Sequence, residues 1–427
     1  MREMKDSGIE WVGAIPAAWG VHRIASHFQE IKEKNTANAY SNALQFKMGK
    51  IIAKPQKWDE DETNETYSAY TVVHPNTIMI NGLNLEFDFV TQRVARVECN
   101  GIITSAYIAL SPRDDINAEY ICYLLKSYDA CRAFHSMGRG LRKILSYSEL
   151  KNKPIVVPPL AEQERIAAFL DAECAEIDAV LEKTRASIEE YKKLKQAVIT
   201  QAVTKGIHGD RPMKDSGIEW IGDIPAGVPI SRVGLHFDIV LGKMLCSAPV
   251  DDNYTLESYY CAADVHFEGL SNGEKKKMWF SPDEKEQYCV KNGDLLVVEG
   301  GAGAGGCAIA VSTDVPIYIQ NSIMIVRSKG ISNIRYLRYL LECLVKKGYI
   351  DVVCNKATIP HFTKDKLANV PFIVFSQSEQ EEIAEYLNEK CAGIDALIVK
   401  KQQYLTEIEN YKKSLIYEYV TGKKEVV

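Results

Sequence analysis

MKDSGIEWVGAIP, residues 4–16, returns as MKDSGIEWIGDIP at residues 213–225. A longer pair follows each copy: AEQERI at residues 161–166 is matched by SEQEEI at 378–383, and the match runs without a gap through CAEIDA (174–179) and CAGIDA (391–396). The offset is 209 residues for the first pair and 217 for the second, so the intervening stretch is eight residues longer in the second half. Self-similarity at this period means two related modules in tandem, each a constant frame around a variable segment.

From Glu162 to Thr204 the apolar residues Ile166, Leu170, Cys174, Ile177, Leu181, Ile188, Tyr191, Val198 and Ala202 recur every three or four positions. This spacing predicts an amphipathic helix of unusual length. Its copy carries Ile383, Leu387, Cys391, Ile394, Ile398, Leu405, Ile408, Leu415 and Tyr419 in the same phase. Each stripe is a coiled-coil-like seam, and both cysteines belong to it as core. A Pro-bounded extended run precedes each helix (154–159 and 371–375), and Gly206 and Gly422 supply the stops. Some 43 residues at 1.5 Å each give a rod of roughly 65 Å. The first helix ends where the second variable segment begins, and too little chain follows the second helix for it to turn round. The two must therefore run antiparallel, seam on seam, about a pseudo-twofold axis. The repeated MKDSGIEW segment reads as a clasp at each helix end, with a docking surface for a partner as the alternative, and has turns at Asp6-Ser7-Gly8 and Asp215-Ser216-Gly217.

The variable segments read as mixed structure. Strand-like runs at 77–80, 294–298 and 323–326 are separated by Gly, Asn and Pro turns, and a helix-like stretch comes late in each, at 118–137 and 333–348. The fold class is α+β: two globular α+β domains separated by two long antiparallel helices.

With 46% apolar and 25% charged residues the chain is ordinary for a folded globular protein, and no apolar run reaches the length of a signal segment or a membrane span. Eleven cysteines without a Cys-x-x-Cys argue against a metal ribbon or a disulfide framework and for reduced thiols in a cytosol. The net charge of −6 excludes a generic polycation, but the charge is unevenly placed. Residues 22–157 carry 17 basic against 15 acidic side chains and residues 230–374 carry 16 against 16, while 158–212 (8 against 10) and 375–427 (7 against 10) are acidic. Contact with phosphate therefore falls to local patches on the variable segments.

Gly300 to Gly306 invites a dinucleotide or P-loop reading, which requires a helix to follow. Residues 307–311 read instead as a strand, so the glycines form a hairpin tip whose bare backbone can approach DNA closely. Asp294 with Glu299 lacks the following lysine of a nuclease metal site and is a chance pair. No methyltransferase loop or nucleophile–base arrangement is present, and the chain looks catalytically empty.

Two basic, polar loops lie at equivalent places just before the Pro-bounded strands, at 137–144 and 354–364. Arg139 and Arg142 have the fork geometry to read guanine edges, Lys143, Lys356 and Lys364 suit phosphates, and His361 shares the second loop. Further candidates are Lys47, Lys50 and Lys54, with Lys57, around Phe46 and Trp58, and Lys275 and Lys276 near Trp279. For each of these the bland alternative is a solvated surface.

The frame as a whole resembles the specificity subunit of type I restriction-modification systems: an Asp-Ser-Gly-Ile-Glu-Trp clip, a variable domain ending in Leu-x-x-x-Pro (Leu150 to Pro154, Leu367 to Pro371), then Glu-Gln-x-x-Ile (Glu162 to Ile166, Glu379 to Ile383) opening a long helix, all repeated. The resemblance implies an N-terminal clip at 1–21, a target recognition domain at 22–157, a helical region at 158–212, a second clip at 213–229, a second recognition domain at 230–374 and a helical region at 375–427. It implies a DNA-binding subunit whose two domains each read half of a bipartite target in double-stranded DNA. The helices would set the spacing and dock two adenine-methyltransferase subunits, and through them restriction subunits. It implies further a non-catalytic, cytoplasmic chain without cofactor or metal of its own, S-adenosylmethionine, ATP and Mg being held by the partners, and no membrane contact. The near-neutral recognition domains point to weak DNA binding by the chain alone. The rival readings are a stand-alone DNA methyltransferase or nuclease, and a coiled-coil scaffold that does not bind DNA.

Overall fold

The computed structural model describes residues 2–36, 38–55, 66–89, 92–138, 140, 143–354 and 360–426. The chain folds as two compact units, residues 1–185 with 403–427, and residues 186–402. Each unit thus contains one variable domain, a part of the central helix Leu160–Lys205 and a part of the C-terminal helix Gln377–Val420. These helices, of 46 and 44 residues, start slightly earlier than the apolar period alone suggests. Both stop at the expected glycines, where Gly206 (φ +78°) and Gly422 (φ +70°) take the left-handed conformation that ends a helix cheaply only in glycine. At Gly422 a Cβ would also meet Pro16 and Trp19 of the first clip, at 2.4 and 2.9 Å.

Much of each seam is buried. Ile166, Leu170, Leu181, Ile188, Ile383, Leu387 and Ile394 are buried, whereas Ile177, Ile398 and Leu405 are half-buried. Within each unit the helix segments run in opposite directions. In the first, Lys412 Nζ meets Asp178 Oδ1 at 2.6 Å and Glu409 Oε1 meets Arg185 Nη2 at 2.6 Å. In the second, Lys195 Nζ meets Asp395 Oδ2 at 2.7 Å, and Lys401 Nζ lies 5.7 Å over the Tyr191 ring. Asp178 and Asp395, like Lys195 and Lys412, are 217 residues apart, so one contact is made twice with the roles of the two helices exchanged.

Each domain is built on a four-stranded antiparallel sheet of one order. In the first unit it is Phe28–Glu30, Ile108–Pro112, Ile78–Ile80, Val94–Arg96; in the second, Phe237–Leu241, Ile323–Ser328, Leu295–Val298, Cys307–Ile309. The helix Ala118–Ala130 packs on the last strand of the first sheet and Ile334–Lys346 on the last strand of the second. Apolar side chains of sheet, helix, clip and long-helix ends pack together in a core of each unit. The helix expected over 118–137 is shorter than its periodicity implied: it ends at Ala130, Arg132 turns left-handed (φ +59°), and a 3-10 turn covers Ala133–Ser136. Outside the sheets the domains diverge. The first has the hairpin Leu44–Lys47/Lys50–Ala53 and the pair Thr71–Val73/Gly101–Ile103. The second has a three-stranded sheet of Lys276–Phe280, Thr255–Tyr260 and Tyr318–Ile319.

The joints between domain and helices repeat atom for atom. Tyr120 donates its hydroxyl to the carbonyls of Val156 (3.3 Å) and Val420 (3.0 Å), and Tyr336 to those of Ile373 (3.2 Å) and Val203 (3.0 Å). Gln163 and Gln380, both buried, accept from the backbone N–H of Asn117 and Asn333 and donate to the carbonyls of Pro158 and Phe375, all at 2.8–2.9 Å. Arg2 holds Glu162 and Arg211 holds Glu379, at 2.5 and 2.6 Å. The first clip is tied to the end of the C-terminal helix, where the Tyr417 hydroxyl and the Lys423 ammonium both donate to the Val12 carbonyl, at 3.0 and 2.6 Å.

Candidate nucleic-acid interface

In both domains the loop that leaves the third sheet strand lies against the loop that precedes the Pro-bounded strand. In the first unit the loop after Ile80 meets residues 143–145: Leu145 N–H donates to Gly82 O (2.9 Å) and Leu85 N–H to Lys143 O (3.3 Å). In the second, the glycine-rich loop after Val298 meets residues 360–362: Gly301 N–H donates to Pro360 O (3.1 Å) and Phe362 N–H to Glu299 O (2.6 Å). The glycine run is a hairpin connection between Leu295–Val298 and Cys307–Ile309, as its sequence predicted. Each basic loop singled out in the sequence is thereby joined to a second loop of its own domain.

The first loop owes its shape to Arg93. Its side chain is fully buried, and its guanidinium donates to the carbonyls of Asn81 (3.1 Å), Leu83 (2.7 Å) and Asp88 (2.6 Å). One residue thus closes a turn that offers few backbone hydrogen bonds of its own. Behind it Asp129 accepts the Arg93 N–H at 2.7 Å, and burial pushes the Asp129 carboxyl above its ordinary value. The loop presents Phe87, 74% exposed, and Phe89, which stacks on His135 (5.0 Å, 9° between planes) beneath the Arg132 guanidinium at 5.2 Å. None of these aromatic and basic groups was marked by the sequence, because their loop has no period and no run of charge.

The candidate residues are placed as follows. Lys47 and Lys50 are exposed and directly opposite each other, flanking the two-residue turn of the hairpin Leu44–Ala53; Lys54 is half-buried with its ammonium 6.0 Å over the Tyr70 ring. The hairpin turn approaches the same loop system, since a Cβ on Gly49 would fall 2.3 Å from Gln92 Oε1. Lys143 is exposed at the loop contact just described. Arg139, Arg142, Lys356, Lys57 and Trp58 lie outside the described residues. Lys364 is exposed at the start of the short helix Lys364–Ala368, and His361 faces Glu299 at 3.2 Å with much of its ring in solvent. Lys275 and Lys276 are not alike. Lys276 is exposed, whereas the Lys275 ammonium is held by Asp264 (3.2 Å) and the carbonyls of Ser271 and Gly273, and lies over the Tyr260 ring. Its position serves its own loop, a division that adjacent lysines in the sequence concealed.

The two carboxylates noted as a chance pair face different partners. Asp294 is buried against Arg327 at 2.7 Å and Glu299 faces His361. Among the described residues no group of three or more His, Cys, Asp or Glu side chains is placed to hold a metal, and no helix is long and apolar enough to cross a membrane.

Comparison with known proteins supplies the family. The profile of the type I restriction modification DNA specificity domain matches residues 99–190 and 268–407, together more than half of the chain. The chain is similar over 96% of its length to the type I restriction enzyme MjaVIII specificity subunit of Methanocaldococcus jannaschii, 24% identical over 94% of that protein. It is also similar to the type I restriction enzyme StySPI specificity subunit of Salmonella potsdam, 23% identical over 74% of this chain and 67% of the relative. Among solved structures, a chain from work on complex assembly and conformational transition of the type I R-M system shares the fold with a TM-score of 0.74 at 16% identity, covering 96% of this chain and 99% of that one. The HsdS subunit from Thermoanaerobacter tengcongensis gives 0.53 at 17% identity, over 96% and 98%. With a duplicated α+β domain, paired long helices and a matching profile in both halves, the chain belongs to the type I restriction-modification DNA specificity family.

Proposed function

We propose that this chain is the address-reading subunit of a type I restriction-modification complex: the domain at 22–157 reads one half of a split duplex target and the domain at 230–374 the other. The observation that carries this reading is the combination of one scaffold, repeated down to single hydrogen bonds, with two loop systems of different sequence at equivalent places. A reader of two unequal half-sites needs that combination. The long helices would set the spacing, since 46 residues at 1.5 Å make a helix of about 69 Å, roughly two turns of B-DNA. They would also dock two copies of an adenine-methyltransferase subunit holding S-adenosylmethionine, and through them the ATP- and Mg²⁺-dependent restriction subunit. The chain itself would do no chemistry, and would work in the cytoplasm.

Replacing residues 22–157 by the corresponding domain of another such subunit tests this. Methylation mapped across the genome should acquire a new first half-site and keep the old second one. An unchanged pattern would leave only a scaffold, and methyl transfer or cutting by the purified chain alone would restore the enzyme reading.

A further inference from the structure

The turn between Lys47 and Lys50 is unfavourable in three separate ways. Its two central residues, Met48 (φ +49°) and Gly49 (φ +72°), both take positive φ, the geometry in which a two-residue hairpin normally places Asn-Gly or Asp-Gly. Gly49 meets that demand, and its missing Cβ admits Gln92. Met48 has no such excuse: an unbranched apolar residue carries a Cβ into the left-handed region and stands 79% exposed at the tip. On either side, exposed Lys47 and Lys50 are directly opposed, a like-charge pair that weakens a hairpin, and neither is ion-paired to another described residue. Folding gains from none of these choices.

Each becomes favourable against a nucleic-acid backbone. Two ammonium groups flanking a tip can sit on phosphates while a protruding apolar side chain enters between bases, the arrangement by which minor-groove proteins kink a duplex at a flexible step. We propose that Met48 is a wedge of the first recognition domain, inserted at a base step of its half-site with Lys47 and Lys50 on the adjoining phosphates. The proposal rests on the DNA-reading function above and deepens it. Part of the first half-site is read through the ease with which a pyrimidine–purine step unstacks, without a hydrogen bond to a base edge. The second domain has a two-residue hairpin of its own, Val265–His266/Gly269–Leu270, but its first tip residue, Phe267, packs against the core of its unit, so its half-site should lack the feature.

The test uses the chain assembled with its methyltransferase subunits, and duplexes bearing the target mapped by methylation sequencing, with 2-aminopurine placed in turn at each step of either half-site. The wild type should raise the fluorescence at one step of the first half-site. Met48→Asn supplies the residue the turn prefers, so it should raise the melting temperature of the protein while abolishing the signal and weakening specific binding on the order of tenfold. Met48→Leu should keep both. Lys47→Ala with Lys50→Ala should weaken binding and flatten its salt dependence. If Met48→Asn binds and fluoresces like wild type while the lysine variant is weak, the hairpin only holds phosphate and the wedge is refuted. Met48→Asn losing the methyltransferase subunits while keeping DNA affinity would make the tip a protein contact, again against the proposal. Wild type that ignores the mapped duplex would instead bring down the DNA-reading function itself.

Discussion

The two units differ where a reader of DNA would need them to and agree where a spacer would. The hydroxyl of Tyr120 and that of Tyr336 each tie the end of a Pro-bounded strand to the C-terminal turn of a long helix, and Gln163 and Gln380 each stitch a domain helix to the start of one. Between these joints the loops share only their places. In the first unit the loop after the third strand is a turn held by buried Arg93 and carrying exposed phenylalanines, and in the second it is a run of glycines braced by His361. Such a division allows recognition to change without disturbing the frame, because the frame's buried polar groups find their partners within the frame.

The equality of the two frames can be broken by measurement. Leu170 and Leu387 are 217 residues apart and both fully buried. Leu170→Ala and Leu387→Ala should each cost about 3 kcal/mol, within the range for truncating a buried leucine. Denaturant unfolding of each variant, with hydrogen exchange to locate the loss, should find the two costs within about 1 kcal/mol of each other. A large cost at one site and none at the other would mean that the halves do not share a core design.

A finer comparison removes one atom from each joint. Tyr120→Phe and Tyr336→Phe leave the packing intact but deprive two buried carbonyls of their donor, and each should cost about 1–2 kcal/mol. The opening should appear as faster amide exchange at the last turn of the helix whose carbonyl is released, near Val420 in one variant and near Val203 in the other. Exchange confined to the domain helix, with the long-helix ends still protected, would show that the hydroxyl bridge is not what anchors them.

Much of the frame was legible in the sequence because it is local or repeated. The apolar period marked the long helices, Gly206 and Gly422 marked their ends, and the matched segments gave the duplication. The joints were invisible for the opposite reason: Tyr120 reaches Val420 across 300 residues, and an isolated tyrosine in a helix carries no signal of its distant partner. The candidate interface residues were legible only as charge. Lys47, Lys50 and Lys143 emerge as exposed side chains in or near one loop system, but Lys275 belongs to its own loop, and Arg93, which shapes the neighbouring surface, reads in sequence as one more basic residue.

The smallest expected effect comes from a position where the frames themselves disagree. Lys126 in the first domain helix corresponds to Glu342 in the second, on equivalent turns beside Tyr123 and Tyr339. Glu342 lies 3.1 Å from Arg338, yet burial outweighs that attraction and holds its carboxyl above the ordinary glutamate range. A raised value in the folded state means that the native protein favours the protonated acid. The stabilising contribution is then complete below the unfolded glutamate pKa, roughly 4.3, and is lost as the pH climbs through the folded value. At neutral pH the charge is a burden that Glu342→Gln removes, so this variant should gain up to about 1 kcal/mol there, the scale of a single hydrogen bond. The gain should shrink as the pH falls and vanish below about pH 4. Lys126→Gln places the same amide at the equivalent site with no carboxyl removed, and is the control. If Glu342→Gln were instead destabilising at neutral pH, the Arg338 pair would outweigh burial, and the second domain helix would depend on an ion pair that the first one lacks.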